Sequence, residues 1–144
     1  MPQPRRSIAA VDSGPLIALF DKRDRRHLRI RAFLRDHPSL ALVTVWPVLA
    51  EVCAVLLNRV HRQAELDFIA WVSSGAVAIV DLQPGAMARI HALMTRYRDL
   101  PFDFADATLA ELLEQERIDA LLSIDSDFDV YRSPSRRRLV NLLA

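Results

Sequence analysis

Short apolar runs alternate with longer segments in which apolar positions recur at helical spacing. Uninterrupted runs rich in β-branched residues are typical of buried strands, and the helical period indicates helices packed on them. We predict five strands, at residues 8–11, 40–45, 77–80, 120–124 and 139–142. We predict six helices. Five lie at residues 15–20, 24–36, 63–73, 84–97 and 104–116, and the sixth has Pro47 in its first turn and ends near residue 60.

Local signals mark where these elements begin and end. Asp12 or Ser13 can cap the first helix, Thr44 can cap the helix that contains Pro47, and His37 with Pro38 stops the second helix. Strands separated by helices predict an α/β three-layer sandwich, in which a central, mainly parallel sheet is flanked by helices. With 144 residues, we expect a single domain that spans residues 1–144.

Four acidic residues stand at the edges of apolar segments. Asp12 and Asp125 end strand-like runs, Glu51 lies inside an apolar helix, and Asp106 lies in the first turn of another helix. In open parallel sheets, residues at the carboxyl ends of different strands meet at one edge. Carboxylates gathered there repel one another unless a cation binds between them, and Mg²⁺ or Mn²⁺ prefers oxygen ligands.

Each acidic position also has a purely structural interpretation. In that interpretation, Asp12 is a helix cap and has no further role, and Glu51 faces solvent. Asp103 competes with Asp106, because it lies three residues earlier and the two can form a carboxylate version of a capping box.

The last acidic cluster, Asp125, Asp127 and Asp129, alternates with other residues. We expect Asp129 at the surface. The spacing is superficially similar to a calcium loop, but that loop requires a glycine and a final glutamate where this chain has Val130 and Arg136.

Other side chains give weaker signals. Ser13 and Ser123 follow two strand ends, where each can hydrogen-bond a phosphate or a metal-bound water, or act only as a local cap. The four histidines have no zinc-ligand spacing. Cys53 lies in an apolar helix, which favours a buried thiol over a nucleophile. We expect Trp46 and Trp71 in the core or an interface.

Composition narrows the class of protein. The apolar runs are too short to span a membrane, and the N-terminus is not a signal peptide, so we expect a cytoplasmic protein without membrane partners. The single cysteine fits a reducing compartment. Lys22 is the only lysine among 19 basic residues, and the arginines cluster at residues 23–35, 96–98 and 132–138. Arginine forks suit phosphate oxygens, although such clusters are also typical of solvated helix faces.

Four segments, in order, resemble the motifs of PIN-domain ribonucleases. They begin Val11-Asp12-Ser13-Gly14, Thr44-Val45-Trp46-Pro47, Asp99-Leu100-Pro101-Phe102 and Leu122-Ser123-Ile124-Asp125. The resemblance extends from residue 8 to about residue 142. In size, and in having no appended domain, the chain is similar to the VapC toxins of type II toxin–antitoxin modules.

The resemblance implies a PIN-like fold and metal-dependent cleavage of RNA phosphodiester bonds. It implies Mg²⁺ or Mn²⁺ ligation by Asp12, Asp106 and Asp125, with Glu51 completing the ring through water or as a proton acceptor, and with possible help from Asp127. It also implies an RNA substrate, a cognate antitoxin and a homodimer. We expected the dimer surface on the apolar residues of segments 51–60 and 68–72.

Two alternatives remain from the residues themselves. One is a non-catalytic PIN-like module that binds RNA or a protein. The other is a phosphoryl-transfer enzyme with Asp12 as its nucleophile. Such an enzyme is expected to have a second aspartate two residues later, and this chain has Gly14 at that position.

Overall fold

The computed structural model describes residues 7–124, 127–129, 131–135 and 137–144. The strands are β1 (Ile8–Val11), β2 (Ala41–Thr44), β3 (Val77–Ile79), β4 (Ala120–Leu122) and β5 (Val140–Asn141). The helices are α1 (Ser13–Phe20), α2 (His27–Asp36), α3 (Trp46–Arg59), α4 (Arg62–Ser73), α5 (Ala86–Arg96) and α6 (Phe104–Gln115). A short 3₁₀ helix covers Asp127–Asp129.

The five strands form one sheet in the order β3-β2-β1-β4-β5, and every neighbouring pair is parallel. This confirms the predicted α/β architecture. From β1 the chain proceeds outwards to β2 and β3, then returns to place β4 on the other side of β1. The boundary between β1 and β4 is therefore the switch point at which open α/β sheets form their binding crevice.

The core contains the central strand β1 and the helix α6. Ala9, Ala10 and Val11 of β1 are almost completely buried, as a strand covered on both faces requires. In α6, every residue from 105 to 113 is buried, so this helix is enclosed on all sides. Because α6 leads into the start of β4, its N-terminus lies at the carboxyl edge of the sheet.

The first helix begins at Ser13 instead of residue 15. Two other helix starts were predicted too early, and the reason in each case is local. The second helix begins at His27 instead of residue 24, because Asp21 and Asp24 accept backbone N–H bonds from Arg23 and Arg26 in a turn. Side-chain bonds of this kind compete with helix formation. The fifth helix begins at Ala86 instead of residue 84, since Gly85 adopts a left-handed conformation with φ 86°.

Candidate active site

Asp12 lies at the end of β1 and is 1% exposed. It caps α1, and its Oδ1 accepts a hydrogen bond from the backbone N–H of Ser13 at 2.8 Å. Its Oδ2 accepts a hydrogen bond from the Ser123 hydroxyl at 3.3 Å. Asp12 therefore acts as a cap and also contacts the residue that follows β4.

Ser123 is held in place by a side chain that sequence inspection missed. Asn141 in β5 accepts a hydrogen bond from the backbone N–H of Ser123 at 3.2 Å and donates one to its carbonyl at 2.9 Å. The backbone N–H of Asp12 also donates to the carbonyl of Leu122 at 3.0 Å. These bonds fix the ends of β1 and β4 beside each other. A polar residue within the final apolar run was the available signal for Asn141.

Thr44 has a different role from the predicted one. It is completely buried at the end of β2, and its hydroxyl donates to the carbonyl of Val11 at 2.9 Å. The N-cap of α3 is Val45, which makes no side-chain capping bond. The prediction that Thr44 caps α3 was therefore wrong, because the hydroxyl instead bridges to the strand end that precedes Asp12.

Asp103 and Asp106 form the predicted capping box at the start of α6. Asp103 Oδ1 accepts from the backbone N–H of Asp106 at 2.9 Å, and Asp106 Oδ2 accepts from that of Asp103 at 3.0 Å. Their surroundings differ, since Asp106 is 5% exposed and Asp103 is exposed. The buried member therefore lies at the carboxyl edge of the sheet, on the inner side of the helix.

Glu51 lies in the second turn of α3 and is half-buried. It lines a cavity of about 510 Å³ together with Asp103 and residues at the starts of α3 and α6. The interpretation that Glu51 is simply solvent-facing does not fit this location. The cavity therefore brings Glu51 of α3 and the N-cap of α6, Asp103, to one surface.

The remaining predicted residues have varied outcomes. Ser13 is buried at the first position of α1. Asp125 lies outside the described residues, so its predicted role is not tested by the structure. Asp127 begins the 3₁₀ helix, and its side chain is also outside the description. Asp129 is exposed, as predicted.

The donor set fits a hard divalent cation in type, because Asp12, Glu51 and Asp106 offer only carboxylate oxygens. Among the described residues, however, no group of three or more acidic, histidine or cysteine side chains could hold a metal ion. Mg²⁺ retains several waters and needs few protein oxygens.

An aromatic cluster supports the chain that follows β4. Phe128 packs against Phe102, and Tyr131 packs against Tyr97, Phe102 and Phe128, with ring centroids 5.9 to 6.2 Å apart. The Tyr97 hydroxyl accepts from the backbone N–H of Arg132 at 3.0 Å. Burial, with the nearby charge of Glu114, raises the pKa of Tyr131 well above its ordinary range. These contacts connect the segment after β4 to the loop that precedes α6.

The two tryptophans differ. Trp71 is half-buried and packs against Phe20 and Phe68. Trp46 is 61% exposed, so it is not a core residue of this chain. Its indole N–H donates to Asp81 Oδ1 at 3.1 Å, which fixes the ring against the end of β3.

Comparison with protein families gives one match across most of the chain. Residues 9–133 match the PIN domain family. A characterised relative, ribonuclease VapC26 of Mycobacterium tuberculosis, is 26% identical over 115 residues, which are 80% of this chain and 84% of the relative.

Solved structures share the fold. Mycobacterium tuberculosis VapC20, a toxin that cleaves the sarcin–ricin loop, superposes with a TM-score of 0.77 at 23% identity, over 85% of this chain and 93% of that one. VapBC2 of Rickettsia felis, bound to a promoter DNA fragment, gives 0.64 at 16% identity, over 93% and 98%. A Klebsiella pneumoniae toxin–antitoxin complex gives 0.57 at 21% identity, over 85% and 91%.

Proposed function

We propose that this chain, which belongs to the PIN-domain family, is a metal-dependent endoribonuclease and the toxin of a VapBC-type toxin–antitoxin pair. The observation that carries the proposal is the pair of buried carboxylates, Asp12 and Asp106, at the carboxyl edge of the sheet. Side chains at the carboxyl edge of a parallel sheet lie where open α/β folds bind their ligands. The similarity to a characterised VapC ribonuclease supports the same activity.

A bound Mg²⁺ or Mn²⁺ would neutralise the phosphodiester charge, lower the pKa of a bound water and stabilise the leaving oxygen. The protein's part is to position the groups around that reaction. Asp12, Asp106 and Asp125 would hold the metal, with Asp127 as a possible additional ligand. Glu51 would accept a proton from the attacking water.

Serine residues beside the acidic groups would orient the substrate. The Ser123 hydroxyl donates a hydrogen bond to Asp12 Oδ2, which would hold the carboxylate in position for ligation. Ser13, at the first position of α1, lies where the helix N-terminus favours an anion. Its hydroxyl would hydrogen-bond a phosphate oxygen or a metal-bound water.

An antitoxin would control this activity. The solved relatives include VapBC2 and another toxin–antitoxin complex, which supports a protein partner for this chain. We expect a basic side chain of the antitoxin, most simply an arginine, to enter the acidic pocket and replace the metal charge. A cytoplasmic location, which the single cysteine favours, is part of the same proposal.

A homodimer is also proposed, but its surface differs from the one expected. Val52, Leu56 and Phe68 of the expected segments are buried within this chain, and Trp71 packs on that core. Exposed apolar area remains in those segments on Leu57 and Ile69. The larger apolar surface is formed by Trp46, Met87 and Phe104, which are 61%, 65% and 43% exposed.

We place the interface on this second surface, which we call the Trp46 surface. Its three side chains line one cavity of about 380 Å³, so they form a continuous apolar area. Exposed apolar areas of this kind mark interaction sites, and two-fold pairing is the commonest way to cover them. A dimer formed there would place Glu51 of each chain near the interface, because Glu51 lines one cavity together with Trp46 and Phe104.

Cleavage of a panel of tRNA and rRNA substrates tests the proposal. With Mn²⁺ we expect specific endonucleolytic products, and with excess EDTA we expect none. The alternative, a non-catalytic PIN-like module, predicts RNA or protein binding without cleavage under both conditions. Equal cleavage with and without EDTA would contradict the proposed metal dependence, but it would still support ribonuclease activity.

A further inference from the structure

A second concave surface lies at the other ends of α1 and α3. It is a cavity of about 1180 Å³ formed by the α1–α2 connection, the ends of α1 and α3, and the start of α4. Its floor is apolar and includes Phe20, Val60 and Trp71. We call this cavity the basic groove, because its walls carry six cationic residues: Lys22, Arg23, Arg25, Arg26, Arg31 and Arg59.

The cations of the basic groove are not used to hold the fold together. Within residues 7–124, 127–129, 131–135 and 137–144, none of the six forms an ion pair, whereas Arg35, Arg62, Arg89 and Arg137 all do. Three acidic residues also line the groove. Two of them, Asp21 and Asp24, accept backbone bonds that shape the loop. The groove therefore carries excess positive charge that is available to a ligand.

The loop that carries four of these cations is held in one shape. Asp21 is buried and accepts from the backbone N–H of Arg23 at 3.1 Å, and Asp24 accepts from that of Arg26 at 2.8 Å. The His27 ring hydrogen-bonds the carbonyl of Ala18 at 2.8 Å, which ties the loop to α1. A fixed loop loses little conformational entropy on binding. The fixed shape of this loop distinguishes the basic groove from an ordinary solvated helix face, where arginine side chains have no defined arrangement.

The basic groove and the acidic site are connected by α1 and α3. Asp12 precedes α1, whose last residue, Phe20, lines the groove. An eight-residue helix is about 12 Å long. Glu51 and Arg59 lie at the same separation along α3. A nucleic acid strand with its reacting phosphate at the acidic site could therefore reach the groove with its flanking nucleotides.

We propose that the basic groove binds the phosphate backbone of the RNA substrate to one side of the scissile bond. The proposal rests on the ribonuclease function proposed above and names the surface that would hold the substrate. Arginine forks bind phosphate oxygens in a bidentate way, and the backbone supplies most of the charge-dependent affinity for nucleic acids. The acidic edge repels RNA when no metal is bound, so affinity must come from a separate cationic surface.

The test compares two triple variants that remove the same charge from different places. The groove variant carries Arg23→Gln, Arg25→Gln and Arg59→Gln. The matched control carries Arg35→Gln, Arg98→Gln and Arg138→Gln, which are exposed arginines outside the groove. Both are made in an Asp12→Asn background to prevent cleavage. Binding of fluorescein-labelled poly(U) is measured by anisotropy across a salt series, and thermal melting checks the fold of each variant.

We expect the groove variant to bind poly(U) about tenfold more weakly at low salt than the control. The slope of log affinity against log salt should also fall by about 2, since each lost phosphate contact on a single strand contributes about 0.7. The control should keep the slope of its parent.

Equal affinities and slopes for the two variants would overturn the groove assignment. If wild-type protein still cleaves RNA in that case, the proposed ribonuclease function stands without it. If wild-type protein neither cleaves nor binds RNA, the ribonuclease function and the groove assignment both fail. Unchanged RNA affinity with loss of binding to an acidic amphipathic peptide would assign the groove to a protein partner and overturn the proposal.

Discussion

The capping box at the start of α6 offers a way to separate structural from catalytic carboxylates. Asp103 and Asp106 exchange two hydrogen bonds of nearly equal length, so each contributes similarly to the cap. Of these two residues, Asp106 is buried and Asp103 is exposed. We therefore predict opposite outcomes for the two residues: substitution of Asp103 should reduce stability, and substitution of Asp106 should remove activity.

The magnitudes follow from the contacts. Asp103→Ala removes the side chain that accepts from the Asp106 N–H, and loss of such a cap costs about 1 kcal/mol. For a chain of this size, that cost lowers Tm by about 4 °C. Asp106→Asn keeps an oxygen that can accept from the Asp103 N–H, so Tm should change by less. The Asp106→Asn substitution also removes a predicted metal ligand. Losing several kcal/mol of charge stabilisation in the transition state should slow cleavage by at least about a hundredfold.

Calorimetric melting and single-turnover cleavage of the same purified variants provide the assay. Asp103→Asn is the matched control, because it keeps a capping oxygen and should preserve both stability and activity. The reasoning would be refuted if Asp103→Asn abolished cleavage while Asp106→Asn cut RNA at the wild-type rate. That outcome would assign the catalytic function to Asp103, the exposed carboxylate, instead of Asp106.

Three further predictions follow from other parts of the structure. Millimolar Mg²⁺ or Mn²⁺ should raise Tm through binding to the native state, and Asp12→Asn, which keeps an oxygen that can cap α1, should remove this rise; a calorimetric titration without metal binding would contradict both. Tyr131 has a buried hydroxyl without a hydrogen-bond partner among the described residues, and burial raises its pKa. Above about pH 10 the tyrosine ionises in the unfolded chain while it stays protonated in the folded one, so the free energy of unfolding should fall as the pH rises. Tyr131→Phe should reduce that alkaline loss in urea unfolding, and an unchanged pH profile would count against the assignment. Light scattering should give roughly twice the 16.3 kDa chain mass, and Trp46→Glu should give a monomer; a monomeric wild-type chain would remove the dimer.

Much of the fold could be predicted because its signals are local. The apolar run Ile8–Val11, which is buried from Ala9 onwards, and the apolar run of β4 identify central strands, and helical spacing identifies the segments between them. The capping box was also predictable, since both partners lie within three residues. The start of α2 was not, because the side-chain bonds of Asp21 and Asp24 outweigh the helical periodicity of the residues around them.

The contacts that shape the site depend on residues far apart in the chain. Asn141 holds Ser123 across the β4–β5 boundary, and Thr44 bonds to the carbonyl of Val11 across the β1–β2 boundary. Neither contact has a signature in sequence spacing, because strand register decides which polar groups meet. The exposure of Trp46 could not be predicted for a similar reason: its helix buries Val48 and Val52, and the tryptophan lies on another side.

Cleavage rate as a function of Mn²⁺ concentration, for wild-type protein, Asp12→Asn and Asp125→Asn, tests the central claim most directly. We predict a saturable increase for wild-type protein, and no cleavage above background for either variant at any concentration that saturates the wild type. Melting curves on the same samples ensure that the variants are folded. Cleavage by either folded variant at the wild-type rate, or wild-type cleavage that does not depend on Mn²⁺, would contradict a metal-dependent ribonuclease site built on these carboxylates.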